Sequence, residues 1–385
     1  MAEPAAEAGV LDPGDLSLTR RAGSRTEQPR AVPWDVVRQS LSLFALGRVL
    51  LLAAVFVISA IDHLSPSLLL RSWDGKFYTV LTHFGYPTSR HLYTARPDAF
   101  FPLLPLTGHV VHLVTGLSWL DSDIAVVWLG GAALVVLGAL LANDAWGHDR
   151  AVQAAIVLAV FPGSVVSGLV YADPIGLAFV AATLFLLGRR RYASAGLTAF
   201  GATASFSLAL APLLAVSAWL FFVEKQRRAL VTGALAALGA ASFYGYLWAH
   251  VGTPLIWFRV ERTIWHSGVG ISVTQGTLWT LRTNPWAAIV TILCLLISLA
   301  GMRALWKTNA PRTWLVFTAA VFLISLFDTG TWLTPRLVYA MFPGVLALGS
   351  RLSRAWIAPV VVISLVCLVL SMAMYAPQNW LFFNP

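Results

Sequence analysis

The chain has 385 residues, 58% of them hydrophobic and only 11% charged. A soluble domain carries about 25% charged residues, so a water-soluble globular protein is excluded. The net charge of +9 reads as arginine and lysine in short cytoplasmic loops setting topology; no basic-aromatic surface of the nucleic-acid-binding type occurs, and no nucleic-acid partner is expected.

Long apolar runs between short polar loops define an all-α polytopic membrane protein. Residues 1–38, rich in Ala, Pro, Glu and Arg, read as a disordered cytoplasmic tail without a cleavable signal, and residues 39–385 as one transmembrane domain. The first span is predicted over 40–61. Arg20, Arg21, Arg25, Arg30 and Arg38 precede it, which puts the N-terminus in the cytoplasm. The loop 62–123 is then extracytoplasmic, and its stretches 75–85 and 106–116 are predicted as short helices in the interface.

Further spans are predicted over 124–142, 151–171, 174–188, 229–249, 286–303, 313–328, 336–350 and 357–376. The apolar stretch 193–222 has Arg189-Arg190-Arg191 before it and Lys225, Arg227 and Arg228 after it. A single crossing breaks the charge rule, so two short helices bending near Ser205–Ser207 are expected. The total is about eleven transmembrane helices, with Arg303, Lys307, Arg312, Arg351 and Arg354 inside. The 143–150 loop fits this topology least well, because Asp144 and Asp149 face a single Arg150. No inverted repeat of the transporter kind is present. Cys294 and Cys367 fall in apolar runs and read as packing residues.

The spans are almost free of ionisable side chains. Arg48 is the exception, expected to snorkel or to pair within the bundle. The chemistry is therefore sought in the outer loops, first at Trp73-Asp74-Gly75-Lys76-Phe77-Tyr78. Asp74 is ionised at neutral pH and able to accept a proton, with Trp73 and Phe77 placed to exclude water and hold a sugar face. It equally reads as the N-cap of an interfacial helix carrying Phe77, Tyr78 and Leu81. On the residues alone both readings are open.

The segment is followed by His83-Phe84-Gly85-Tyr86 and by Ala99-Phe100-Phe101-Pro102-Leu103-Leu104-Pro105. Together these resemble the WD…Y…GY…FFPxxP signature of PIG-V-type mannosyltransferases, a family of GT-C membrane glycosyltransferases. Phe161-Pro162-Gly163-Ser164 and Tyr171-Ala172-Asp173-Pro174 extend the resemblance; the Trp265 loop and Thr334-Pro335-Arg336 match more loosely. The similarity covers most of residues 41–345, and only its first loop is specific. Two departures stand out: Asp173 replaces a usual Glu, and a family Arg is missing from Thr203-Ala204-Ser205-Phe206-Ser207.

The resemblance implies a GT-C-type bundle that transfers mannose from a polyprenyl-phosphate donor to a lipid or glycan hydroxyl on the extracytoplasmic face. It implies Asp74 as the base of a single inverting displacement. Arginine forks suit the leaving phosphate, and the outer cations are Arg71, Lys76, Arg90, Arg96, Arg259, Arg262, Arg282 and Arg336. Arg259, Arg262, Arg336 and Lys76 are assigned to the donor phosphate, although anionic headgroups are an ordinary alternative. Trp73, Tyr78, Tyr171, Asp173, Trp265 and His266 are assigned to substrate. Asp173 reads equally as a helix cap before Pro174.

Asp121-Ser122-Asp123 has the DxD form but reads as capping before a span. No cofactor or obligatory metal is expected, since a monophosphate donor lacks the diphosphate that Mg²⁺ bridges. His109 and His112 lack further ligands at zinc spacing. Trp257, Trp265, Trp279 and Trp286 read as interface anchors before sugar platforms. A polyprenol-phosphate or glycolipid translocase, using the same arginines without a base, and a non-catalytic subunit of a glycosyltransferase complex are the alternatives. Acceptor, linkage and prenyl length are not legible.

Overall fold

The computed structural model describes residues 34–86, 96–264, 282, 285–308, 310–327 and 333–375. Among them every regular element is helical. The helices are α1 (Trp34–Asp62), α2 (Pro66–Leu70), α3 (Asp74–Phe84), α4 (Leu103–Thr115), α5 (Trp119–Trp146), α6 (His148–Val160), α7 (Asp173–Gly188) and α8 (Tyr192–Ser205). They continue as α9 (Leu210–Phe222), α10 (Ala229–Val251), α11 (Ile256–Thr263), α12 (Pro285–Lys307), α13 (Arg312–Phe327), α14 (Pro335–Ala340), α15 (Phe342–Gly349) and α16 (Arg354–Tyr375). Short 3₁₀ turns lie at Arg96–Ala99, Pro162–Gly168 and Ser207–Ala209.

Helix α1 begins at Trp34, so residues 34–38 belong to the bundle and not to the tail, which otherwise lies outside the described residues. The predicted break in 193–222 falls at Phe206, between α8 and the 3₁₀ turn. Both expected loop helices form, as α3 and α4. Two predicted spans are not straight. The run 151–171 bends by 62° after Val160, because Pro162 has no N–H to continue the ladder and holds Phe161 extended, at φ −54° and ψ 138°. The run 336–350 breaks at Met341, where Pro343 enters the first turn of α15.

Five helices, α1, α5, α10, α12 and α16, are long and apolar enough to cross a membrane, or six with the bent pair. Shorter apolar helices, α4, α7, the Ser207–Phe222 pair and α13, accompany them. Among the described residues, length and composition alone do not confirm the count of about eleven.

The main core is built where α1, α5, α6, α7 and α15 meet. Small residues set the closest approaches: a Cβ on Gly239 of α10 would lie 2.4 Å from the Phe200 carbonyl of α8. Arg48 neither snorkels nor faces lipid. It is buried in α1 and donates to the Ser164 carbonyl at 2.6 Å and to Ser164 Oγ at 2.9 Å. Asp144, which unbalanced the 143–150 loop, pairs with Arg189 at 2.8 Å.

A second core cluster joins the segment after α1 to the bundle through Tyr78, Leu81, Phe100, Leu104, Val127 and Val170. A third ties Phe101 to Phe243 and Leu247 of α10 and to Ile256 and Val260 of α11.

Candidate active site

Three helix starts converge at one place. Asp74 is the first residue of α3, Asp173 the first of α7, and Arg336 the second of α14. The Arg336 guanidinium grips Asp173 in a two-pronged pair, Nε to Oδ1 at 2.7 Å and Nη2 to Oδ2 at 3.1 Å. Its Nη1 donates to Asp74 Oδ2 at 3.1 Å. Three of the five N–H donors of the fork are thus engaged, and among the described residues the other two make no further hydrogen bond. The Tyr171 ring lies under the guanidinium, 4.7 Å from its carbon, and Tyr171 is buried. Asp173 is almost fully buried, at 2% side-chain exposure, while Asp74 retains 22% and Arg336 24%. Of the two carboxylate side chains, that of Asp74 is the more exposed.

Neither aspartate caps its helix, contrary to one of the two readings of each. Trp73 occupies the N-cap of α3 and Ala172 that of α7, neither with a side-chain cap bond. Pro174 follows Asp173 in the first turn, and Pro335 likewise fixes the start of α14. Trp73 has φ 52° and ψ −114°, a strained backbone for a bulky residue. This kink turns the chain from α2 into α3 immediately ahead of Asp74.

Two close approaches lock the parts together. The Val170 amide donates to the Leu70 carbonyl at 3.0 Å, and a Cβ on Gly75 would stand 3.2 Å from the Val170 carbonyl. The Trp-Asp-Gly segment therefore lies flat against the strand-like stretch leading to Tyr171 and Asp173. On the other side, a Cβ on Gly163 would meet the Pro335 carbonyl at 1.9 Å. The Phe161 ring stacks with Tyr339 at 6.3 Å. The Phe161-Pro162-Gly163-Ser164 motif thus seats the segment that carries Arg336, and Arg48 holds Ser164 from below.

Electrostatics follow from this geometry. Burial pushes the Asp74 carboxyl above its ordinary range; Arg336 opposes the shift and Asp173 adds to it. Burial also disfavours charge on Arg336, but Asp173 and then Asp74 outweigh it and hold the guanidinium well above its usual range. Tyr78 is pushed up by burial and next by Asp74. With both carboxylates ionised, the Asp74–Arg336–Asp173 cluster carries net charge −1.

The remaining assigned residues fall at varying distance from this cluster. Trp73 is half-buried against the main core. Tyr78 packs edge-on to Phe100 at 4.9 Å, and Phe77 stacks on the same ring at 5.1 Å. Lys76 is exposed, its Nζ 5.0 Å from the Phe77 ring centre. Arg259 and Arg262 are exposed on α11. The described electrostatic link from α11 to the site is Glu261, whose charge is felt at Tyr78. Trp265 and His266 lie outside the described residues.

The Phe-Phe-Pro motif works as a joint. Phe101 packs on Phe243 at 4.5 Å, the Tyr86 hydroxyl donates to the Phe100 carbonyl, and Trp257 Nε1 donates to the Ala99 carbonyl at 3.1 Å. In the DxD segment, Asp121 completes a cap with Ser118, its amide 3.1 Å from Ser118 Oγ. Asp123 does not cap: it is buried in α5 and accepts from Thr82 of α3 at 2.7 Å. His109 and His112 stack on Trp119, with ring centres 5.2 and 3.4 Å away.

No family model matches the chain, and no curated protein matches it in sequence. Solved structures do match. ArnT from Cupriavidus metallidurans, determined bound to undecaprenyl phosphate, superposes with TM-score 0.54 at 15% identity over 85% of this chain and 62% of that one. The Archaeoglobus fulgidus oligosaccharyltransferase matches at TM-score 0.46 and 13% identity over 90% of this chain and 56% of that one. The chain therefore spans about three-fifths of the length of ArnT. The likeness to ArnT is one of fold: this is an integral membrane protein whose helical architecture is similar to that of ArnT.

Proposed function

We propose that the protein is a membrane glycosyltransferase that moves a sugar from a polyprenyl-phosphate donor to a hydroxyl of a lipid or glycan acceptor on the extracytoplasmic face. The observation that carries this reading is the partly exposed side chain of Asp74, held by Arg336 beside the buried Asp173. The fold shared with ArnT, a structure that holds undecaprenyl phosphate, supports the donor class. The sugar is proposed as mannose on the sequence resemblance.

In the reaction, Asp74 takes the proton of the acceptor hydroxyl as that oxygen bonds to the anomeric carbon. The bond from the anomeric carbon to the phosphate oxygen breaks, the configuration inverts, and polyprenyl phosphate leaves. A raised carboxyl affinity for protons makes Asp74 a stronger base than a surface aspartate. Asp173 holds Arg336, and Arg336 holds Asp74. The cluster's charge of −1 leaves Arg336 too neutralised to carry the leaving phosphate alone. Its two spare N–H groups and the positive ends of α3 and α7 contribute, with Lys76, Arg259 and Arg262 completing the charge. Trp73, Tyr78 and Tyr171 contact sugar and acceptor, a role that the sequence resemblance extends to Trp265 and His266.

The test is transfer of labelled sugar from polyprenyl-phosphate-mannose in membranes carrying the wild-type chain. Labelled product that depends on the chain supports the reading. Donor flipped across the bilayer without any glycoside formed favours a translocase. Transfer from a different polyprenyl-phosphate sugar corrects the donor and keeps the class.

A further inference from the structure

Away from the site, the first turns of α1, α6 and α16 enclose a groove of about 580 Å³. Each helix contributes one stripe that runs from polar to apolar. On α1 the stripe is Asp35, Gln39, Leu43; on α6 it is Asp149, Gln153, Ile156; on α16 it starts at Arg354 and ends at Val361. The polar ends belong to the N-termini of three helices, where backbone N–H groups lack intrahelical partners; α6 has no side-chain cap. Trp34 and Trp356 are exposed at the same helix ends, the position of aromatic anchors at a membrane surface. The groove thus has a charged mouth at the interface and a hydrocarbon-lined floor.

The mouth carries both signs: the carboxylates of Asp35 and Asp149 and the guanidinium of Arg354. His148 Nε2 lies 3.0 Å from Asp35 Oδ2. Arg354 Nη2 lies 3.8 Å from Asp149 Oδ2, beyond hydrogen-bond length, and both side chains are largely exposed. We infer that this groove binds a bilayer phospholipid whose headgroup bears a phosphate and a primary ammonium, as in phosphatidylethanolamine. The phosphate meets Arg354 and the free amides of α6, the ammonium donates to Asp149 and Asp35, and an acyl chain lies along Leu43, Ile156 and Val361. A trimethylated ammonium has no N–H to give the carboxylates, and a purely anionic headgroup leaves them facing negative charge.

Lipid retention by the full chain in detergent tests this, read by native mass spectrometry with phosphatidylethanolamine, phosphatidylcholine and phosphatidylglycerol of matched chains. Phosphatidylethanolamine is expected to bind at least about tenfold more tightly than either. Asp149→Asn is expected to erase its advantage over phosphatidylcholine. Ile156→Trp, which fills the floor and leaves the charges in place, is expected to release all three. Equal retention of the three lipids by the wild type, or a preference for phosphatidylglycerol, overturns the inference. So does unchanged retention in both variants when their Tm matches the wild type's.

Discussion

At the scale of the residue, the site is a competition between burial and pairing. Asp74 is held above the ordinary carboxylate range by burial, against Arg336, and Asp173 pushes in the same direction as burial. A base works only when deprotonated, so activity falls as pH drops through that raised value. Asp173→Asn removes a like charge and frees Arg336 for Asp74, and both effects lower the Asp74 value. The acid limb of the kcat/KM profile is therefore expected to move to lower pH in Asp173→Asn, with kcat reduced because Arg336 loses its two-pronged anchor. An acid limb that stays in place in this variant contradicts the assignment. Asp98 offers a separate check on stability. It is buried, its two carboxylate oxygens have no hydrogen-bond partner among the described residues, and burial lifts its pKa to about 6. An unfolded Asp titrates near 3.9, so between these values the unfolded chain ionises first and folded stability falls as pH rises. Asp98→Asn escapes that loss. Its Tm is expected to exceed the wild type's at pH 7.5 and to approach it as the pH falls to about 4, as thermal unfolding at the two pH values will show.

At the scale of the element, the sequence motifs are joints. Gly163 lets the Pro335 carbonyl rest where a Cβ would stand 1.9 Å away, so Gly163→Ala must push α14 outward. A loss of stability of about 1–3 kcal/mol is expected, together with a fall in sugar transfer as Arg336 leaves Asp74. Thermal unfolding and transfer assays on the same preparation measure both. Element existence was legible where local signals agree. The break at Phe206 follows from flanking basic runs, and α3 and α4 from apolar spacing after Asp74 and Pro102. The kinks after Val160 and at Met341 were missed because hydropathy does not register the missing N–H of Pro162 or Pro343. Asp74 and Asp173 were legible as important but not as partners. Arg336 is 262 positions from Asp74, and no periodicity reports a contact of that range. The resemblance at Thr334-Pro335-Arg336 pointed to Arg336 as a phosphate ligand, not as the partner of two carboxylates. Gly75 and Gly163 carry no charge to draw notice, yet they set how closely the segments meet.

At the scale of the whole molecule, the described residues of the long loop after α1 pack into the domain, with Phe100 and Phe101 joining α3 to α10 and α11. The arginine distribution in the sequence predicts that this face is extracytoplasmic. A cysteine at Lys76, in a chain whose Cys294 and Cys367 are replaced, is expected to react with a membrane-impermeant maleimide added to intact cells; labelling only after lysis reverses the orientation. The central claim is that Asp74 removes the acceptor proton while Arg336 and Asp173 hold it in place. Its most direct test is sugar transfer by Asp74→Asn, which keeps the side-chain shape and removes the base, with binding of the polyprenyl-phosphate donor measured in parallel. The account predicts wild-type donor binding and transfer lowered by about 10²–10⁴-fold. Transfer at the wild-type rate with donor bound would contradict it.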